Sequence, residues 1–259
     1  MKLAMLLALT LALPAAAECS KVIVSADPDY QPLHWYDGQT LRGASIDLAA
    51  RVLEDIGAPY EVRYTGPWKR VLAAAQAGQV DLVATLKILP ERERYLAFAP
   101  TPAFPNPVAI FVDRQRSFAY ANWDDLRDKR GGAALGNRFG PDFDKFAETE
   151  LHLQESGTLD TNFRKLALGR IDYFLVGLYA GEAYLAGHGL GGRYMALRPF
   201  ATEDRNYFGF SRNSPCIKYL EPFEARLRAL VKSGAAVAIL NANLQRTGIL
   251  LDGASLTHK

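Results

Sequence analysis

The chain has 259 residues, of which 49% are hydrophobic and 22% charged, with a formal net charge of +2. This is enough for a large core and fits two units of about 100 to 150 residues each better than one. The basic residues are spread without a block or an aromatic-basic array, which excludes nucleic acid as the natural partner class.

In chain order, Lys2 is followed by an apolar run over 3–13, by Pro14, and by the small residues Ala15, Ala16 and Ala17. This is the pattern of a secretory signal peptide over 1–17, cleaved after Ala17, and it predicts a periplasmic mature protein. The run is about half of the roughly 20 residues that a membrane helix needs. Glu18 stands before Cys19 where a lipid-attachment signal requires a small residue, so no lipid anchor is expected.

The next segments predict a strand over 21–26, a helix over 45–56 with Ser45 as N-cap, a strand over 60–64, a helix over 68–77 and a strand over 80–85. A βαβαβ series of this kind packs most economically as a parallel sheet with right-handed crossovers. A proline-rich turn over 100–107 leads into a strand over 108–112 and a polar crossing at 113–117. The second unit is expected to hold helices over 123–127, 142–148, 159–168 and 178–186 and strands over 132–135, 171–176 and 193–198. A return crossing near 200–205, a strand over 207–210 and helices over 215–232 and 235–245 complete the chain. The expected division is 18–112 plus 206–259 for the first lobe and 113–205 for the second. The fold class is therefore α/β, and the strand ends after 85 are where such sheets bind ligands.

Two cysteines are present, Cys19 and Cys216. Export places both in an oxidising compartment, which predicts one disulfide closing a very long loop, worth on the order of 4 kcal/mol; two buried free thiols are the alternative. The GHGLGG stretch over 187–192 has glycine spacing like that of a dinucleotide fingerprint, but it follows a helix and precedes a strand, so it reads as a loop. The four histidines have no metal-ligand spacing, and no nucleophile and base motif occurs. No catalytic residue, metal or organic cofactor is expected.

The runs DPDYQPLHWYDGQTLRGASIDLAARVLEDIGAPYE, PWKRVLAAAQAGQVDLV, PERERYLAFAPTP and LALGRIDYFLV, in this order, resemble bacterial solute-binding protein family 3, the receptors that deliver polar amino acids to ABC importers. The resemblance implies a type II periplasmic-binding-protein fold, in which two α/β lobes close by hinge motion on a ligand held between them. It also implies a monomer that presents its lobes to an inner-membrane ABC permease. Arg92 matches the arginine that grips the ligand carboxylate through two parallel hydrogen bonds. Tyr30 and Trp68 match positions that pack against the ligand body, and Thr85 lines the polar wall. In the turn 136–140, Arg138 stands where the family commonly offers a hydroxyl, with Phe139 beside it.

Two departures bear on the ligand. Upstream of the arginine, where the family usually has Ser or Thr to help receive the ligand's ammonium, the chain has Lys87. Beyond Asp172, where amino-acid receptors carry an Asp for the same ammonium, it has Gly177. An ammonium without its partners is costly to desolvate, so the expected ligand is a small carboxylate-bearing solute, an amino acid or a related organic acid, with an anion preferred over an ordinary amino acid. Two rivals stand beside an importer receptor. One is an enzyme on the same fold, like the cyclohexadienyl dehydratases, with Glu182 or Asp204 as its acid. The other is a ligand-binding module that feeds a sensor.

Overall fold

A computed structural model describes residues 18–248, so the expected signal peptide lies outside the described residues. The chain forms β1 (Val22–Ser25), β2 (Asp29–Tyr30), β3 (His34–Tyr36), β4 (Leu41–Arg42), α1 (Ala44–Asp55), β5 (Tyr60–Val62), α2 (Trp68–Gln76) and β6 (Leu82–Leu86). After these come α3 (Pro90–Glu93), β7 (Leu96–Phe98), β8 (Phe104–Asp113), β9 (Arg130–Ala134), α4 (Pro141–Glu150), β10 (His152–Ser156), α5 (Leu159–Ala167) and β11 (Tyr173–Gly177). The last elements are α6 (Leu178–Gly187), β12 (Tyr194–Ala196), β13 (Thr202–Ser211), α7 (Leu220–Lys232) and α8 (Ala235–Arg246).

The large sheet runs β10-β9-β11-β8-β13-β6-β1-β5, with β12 on β8 and β7 on β13, and β2-β3-β4 form a separate small sheet. The expected βαβαβ series is present: β1 pairs in parallel with both β5 and β6. A second parallel group, β10-β9-β11, forms the other end of the sheet. β8 and β13 join the two groups. Their halves nearest each other pair over 104–108 and 202–206; beyond that stretch β8 turns to β11 and β12, and β13 to β6 and β7.

This joint departs from the sequence reading, which placed a proline-rich turn at 100–107 and gave 108–112 to the first lobe. β8 begins at Phe104 and contains Pro105 and Pro107. Over this stretch β13 is its partner, and β11 begins to pair only at Val108. The prolines fall at alternate positions and are tolerated because their missing N–H groups face the side without a ladder. Val108–Phe111 pair with β11, on the side of β9 and β10.

The expected Ser45 cap is also corrected. The N-cap of α1 is Gly43, at φ 126°, where an added Cβ would run into the Leu33 backbone. Ser45 lies inside the helix, and its hydroxyl meets the Thr85 hydroxyl at 2.6 Å. Cys19 and Cys216 form a disulfide with a Cα–Cα distance of 4.9 Å, tying the start of the described chain to the segment before α7. No helix among the described residues is long and apolar enough to cross a membrane.

Candidate functional site

A cleft of about 580 Å³ lies where β1, β6, β8, β11 and β13 end or cross. This volume suits a small organic ligand. Its floor comes from the loop after β1 and from the small sheet. His34 is buried with one ring nitrogen 2.8 Å from the Asp27 carbonyl and the other 3.2 Å from the Thr85 carbonyl. A neutral imidazole has one donor and one acceptor, so two carbonyl neighbours favour the protonated ring, while burial drives its pKa down from the ordinary value. The Asp27 carboxylate accepts from the Asp29 N–H at 3.1 Å, and burial raises its pKa against the pull of His34 and Arg92. Tyr30 stacks on His34 with centroids 5.4 Å apart and donates to the side-chain amide oxygen of Asn106 at 2.9 Å. Burial pushes its phenol up to about 12.

One wall runs from β6 to α3. The pairing of β6 with β13 shifts between Tyr207–Leu86 and Gly209–Val83, so β6 carries the extra residue of a bulge. Thr85 sits in that bulge at φ 42°, an unusual conformation for a β-branched residue, and it is the only described non-glycine residue at positive φ. Strain of this kind persists where surrounding contacts hold it, and here Ser45 takes the hydroxyl and His34 the carbonyl. The bulge turns the chain so that Lys87 enters the cleft.

The Lys87 ammonium pairs with the Asp204 carboxylate on β13 and donates to the Arg138 carbonyl at 2.7 Å. Arg92, on the short helix opened by Pro90, donates to the Lys87 carbonyl at 2.9 Å. Its guanidinium carbon lies 5.5 Å from the centroid of the Trp68 ring, a cation–π contact. Burial lowers the Arg92 pKa from its ordinary value, yet a guanidinium stays charged at any ordinary pH. Among the described residues no carboxylate forms an ion pair with Arg92, and its remaining donors are available to an anion.

Apart from Arg138, the facing wall lines the cleft largely with backbone and small or neutral groups. Leu135, Gly136, Asn137 and Arg138 form the turn after β9. The Arg138 side chain is exposed and donates to the Asn137 carbonyl at 3.0 Å. Phe139 is nearly buried and packs edge-on against Phe143, so its ring belongs mostly to the core behind the cleft. At the junction of β11 and α6, a Cβ on Gly177 would stand 2.8 Å from the Tyr30 hydroxyl. The phenol of Tyr30 thus fills the space that any side chain at 177 needs. Asn106 and Asn206, both buried, complete this region, the first donating to the second at 3.4 Å.

Tyr30, Trp68, Thr85, Lys87, Arg92, Arg138 and Phe139 therefore line one cleft. The Thr85 hydroxyl, however, is committed to Ser45, and Arg138 reaches Lys87 through its backbone. Sequence reasoning missed Asp27, His34, Asn106 and Asn206. Asp27 and His34 flank Tyr30 in the run DPDYQPLH, a polar cluster that was legible; the two asparagines become neighbours only through the pairing of β8 with β13. Of the acids named for a dehydratase, Asp204 is engaged by Lys87. Glu182 lies outside the cleft lining, near Arg114 and Arg198. Among the described residues no three His, Cys, Asp or Glu side chains gather as metal ligands.

No curated protein sequence matches the chain. Solved structures do. A histidine kinase sensor domain with similarity to periplasmic binding proteins is 24% identical, with a TM-score of 0.67 over 87% of this chain and 96% of that one. The GluR0 ligand-binding core in complex with L-glutamate is 15% identical, with a TM-score of 0.71 over 88% and 100%. The amino acid ABC transporter substrate-binding protein AbpA from Streptococcus pneumoniae Canada MDR_19A, bound to L-arginine, is 18% identical, with a TM-score of 0.64 over 89% and 97%. These likenesses establish the type II periplasmic-binding-protein fold. The sequence model of one family matches residues 22–246, nearly all of the described chain, and the protein belongs to that family, the bacterial extracellular solute-binding proteins, family 3.

Proposed function

We propose that the mature chain, cleaved after Ala17, is a periplasmic receptor that holds a small carboxylate-bearing solute between two lobes and delivers it, as a monomer, to an inner-membrane ABC permease. The observation that carries this reading is Arg92: a half-buried guanidinium in the cleft lining, braced by Trp68 and the Lys87 carbonyl, with no carboxylate ion-paired to it among the described residues. Tyr30 and Trp68 would pack the solute's body, and Asn106 and Asn206 would meet its neutral polar groups. The pairing of β8 with β13 over 104–108 and 202–206 supports a division in which these strands are the crossovers. Residues 18–103 with 207–248 then form one lobe and 109–201 the other. The Lys87–Asp204 and Lys87–Arg138 contacts would have to part as the lobes open.

The likeness to a histidine kinase sensor domain favours a second reading, in which the same solute-bound form signals to a membrane partner. The engagement of Asp204 by Lys87 and the distance of Glu182 from the cleft lining favour binding over dehydration chemistry. Calorimetric titration of the purified mature protein with a panel of amino and organic acids tests the central reading. It predicts saturable binding of at least one acid, lost on Arg92→Ala. Full affinity in Arg92→Ala would refute the carboxylate clamp.

A further inference from the structure

The cleft already contains an ammonium group. Lys87 projects from the end of β6 and is held on the other side by the Asp204 carboxylate and the Arg138 carbonyl, while its own carbonyl holds Arg92. The Arg92 guanidinium is thus tied to the main chain of the residue that carries the ammonium, and both residues line the cleft. A second ammonium, on the solute, would be repelled by Lys87 and would need acceptors for three N–H donors. Asp204 and the Arg138 carbonyl are taken. Across the cleft the Tyr30 phenol stands over Gly177 and is tied to Asn106, so that region presents neutral groups. The Asp27 carboxylate accepts from the Asp29 N–H of its own turn, burial raises its pKa and so disfavours its charged form, and Glu91 is exposed at the rim. An oxygen substituent suits this surface better, because the Asn106 and Asn206 amides carry neutral N–H donors for it, the Tyr30 proton being given to Asn106.

Resting on the carboxylate reading above, we propose that the solute is a carboxylic acid whose neighbouring substituent is oxygen, a 2-hydroxy or 2-oxo acid, and that Lys87 is the tethered cation that excludes the corresponding amino acid. The test is calorimetry on matched sets that differ only at that substituent: lactate, pyruvate and alanine; 2-hydroxyglutarate, 2-oxoglutarate and glutamate; 4-methyl-2-oxopentanoate and leucine. In the set that binds, the oxygen compound is expected to bind at least 100-fold more tightly than the amino acid. Lys87→Met removes the repulsion and frees Asp204, so it is expected to shrink that ratio at least tenfold; Lys87→Gln serves as a second variant with the same expectation.

An amino acid binding as tightly as its oxygen analogue, or a ratio unchanged in both Lys87 variants, would overturn the proposal. Arg92→Ala separates this failure from that of the broader reading. If the wild type prefers the amino acid and Arg92→Ala loses it, the carboxylate clamp stands and the oxygen assignment falls. If Arg92→Ala keeps the affinity, the clamp falls. Absence of binding across every set counts against both.

Discussion

The wall that descends from β6 to α3 and the wall that faces it are built from different materials. On the first, side chains carry the charge: Lys87 and Arg92 project from a bulged strand end and a short helix, each fixed by named contacts. On the second, the turn after β9 offers backbone, Gly177 offers room, and Arg138 is exposed, with its guanidinium on the Asn137 carbonyl. The difference teaches that the cleft's cationic side chains are fixed on one wall, and under the proposed reading the second wall would supply shape, main-chain groups and the Asp204 carboxylate that holds Lys87. It also shows why Gly177 matters: its missing side chain is the space into which Tyr30 fits.

The largest way to break this contrast is to remove the anchor. Arg92→Ala is expected to weaken acid binding about 100-fold, roughly 3 kcal/mol, the loss of a charge-assisted pair, measured by titration calorimetry. Next comes Gly177→Ala, whose Cβ would crowd the Tyr30 hydroxyl at 2.8 Å. It is expected to cost about 1 to 3 kcal/mol in urea unfolding. In a Tyr30→Phe background, which itself loses the bond to Asn106, the added cost of Gly177→Ala should largely vanish. A cost that persists there would show that the phenol does not set the size of residue 177. The smallest effect is on the ion pair that joins the walls. Lys87→Met is expected to destabilise by about 1 kcal/mol at low salt and by less at 1 M salt, since both partners are only partly shielded from water. No salt dependence of the difference would contradict an electrostatic role.

The legibility of the sequence followed the same contrast. The charged wall was readable because its residues are close in sequence, a strand of β-formers with Lys87 and Arg92 soon after it, although the short helix that Pro90 opens around Arg92 was not foreseen. The first parallel group was readable from apolar periodicity; in the second, β10 was not, since none of its residues is fully buried. The small sheet of β2, β3 and β4 was not, since strands of two or three residues are too short to show alternation. The crossing strands were obscured by Pro105 and Pro107, whose tolerance depends on the side without a partner, a tertiary fact. Asn106 and Asn206 were hidden for the same reason. The Ser45 cap failed because its hydroxyl is used by Thr85, whose positive φ no local pattern announces.

One measurement bears most directly on the claim that charge is read from a single wall: side-by-side calorimetric titration of Arg92→Ala and Arg138→Ala with the acid that binds the wild type best. Binding should fall about 100-fold in Arg92→Ala and stay within about threefold of wild type in Arg138→Ala, whose exposed guanidinium donates to the neighbouring Asn137 carbonyl. Equal losses, or a larger loss in Arg138→Ala, would contradict it.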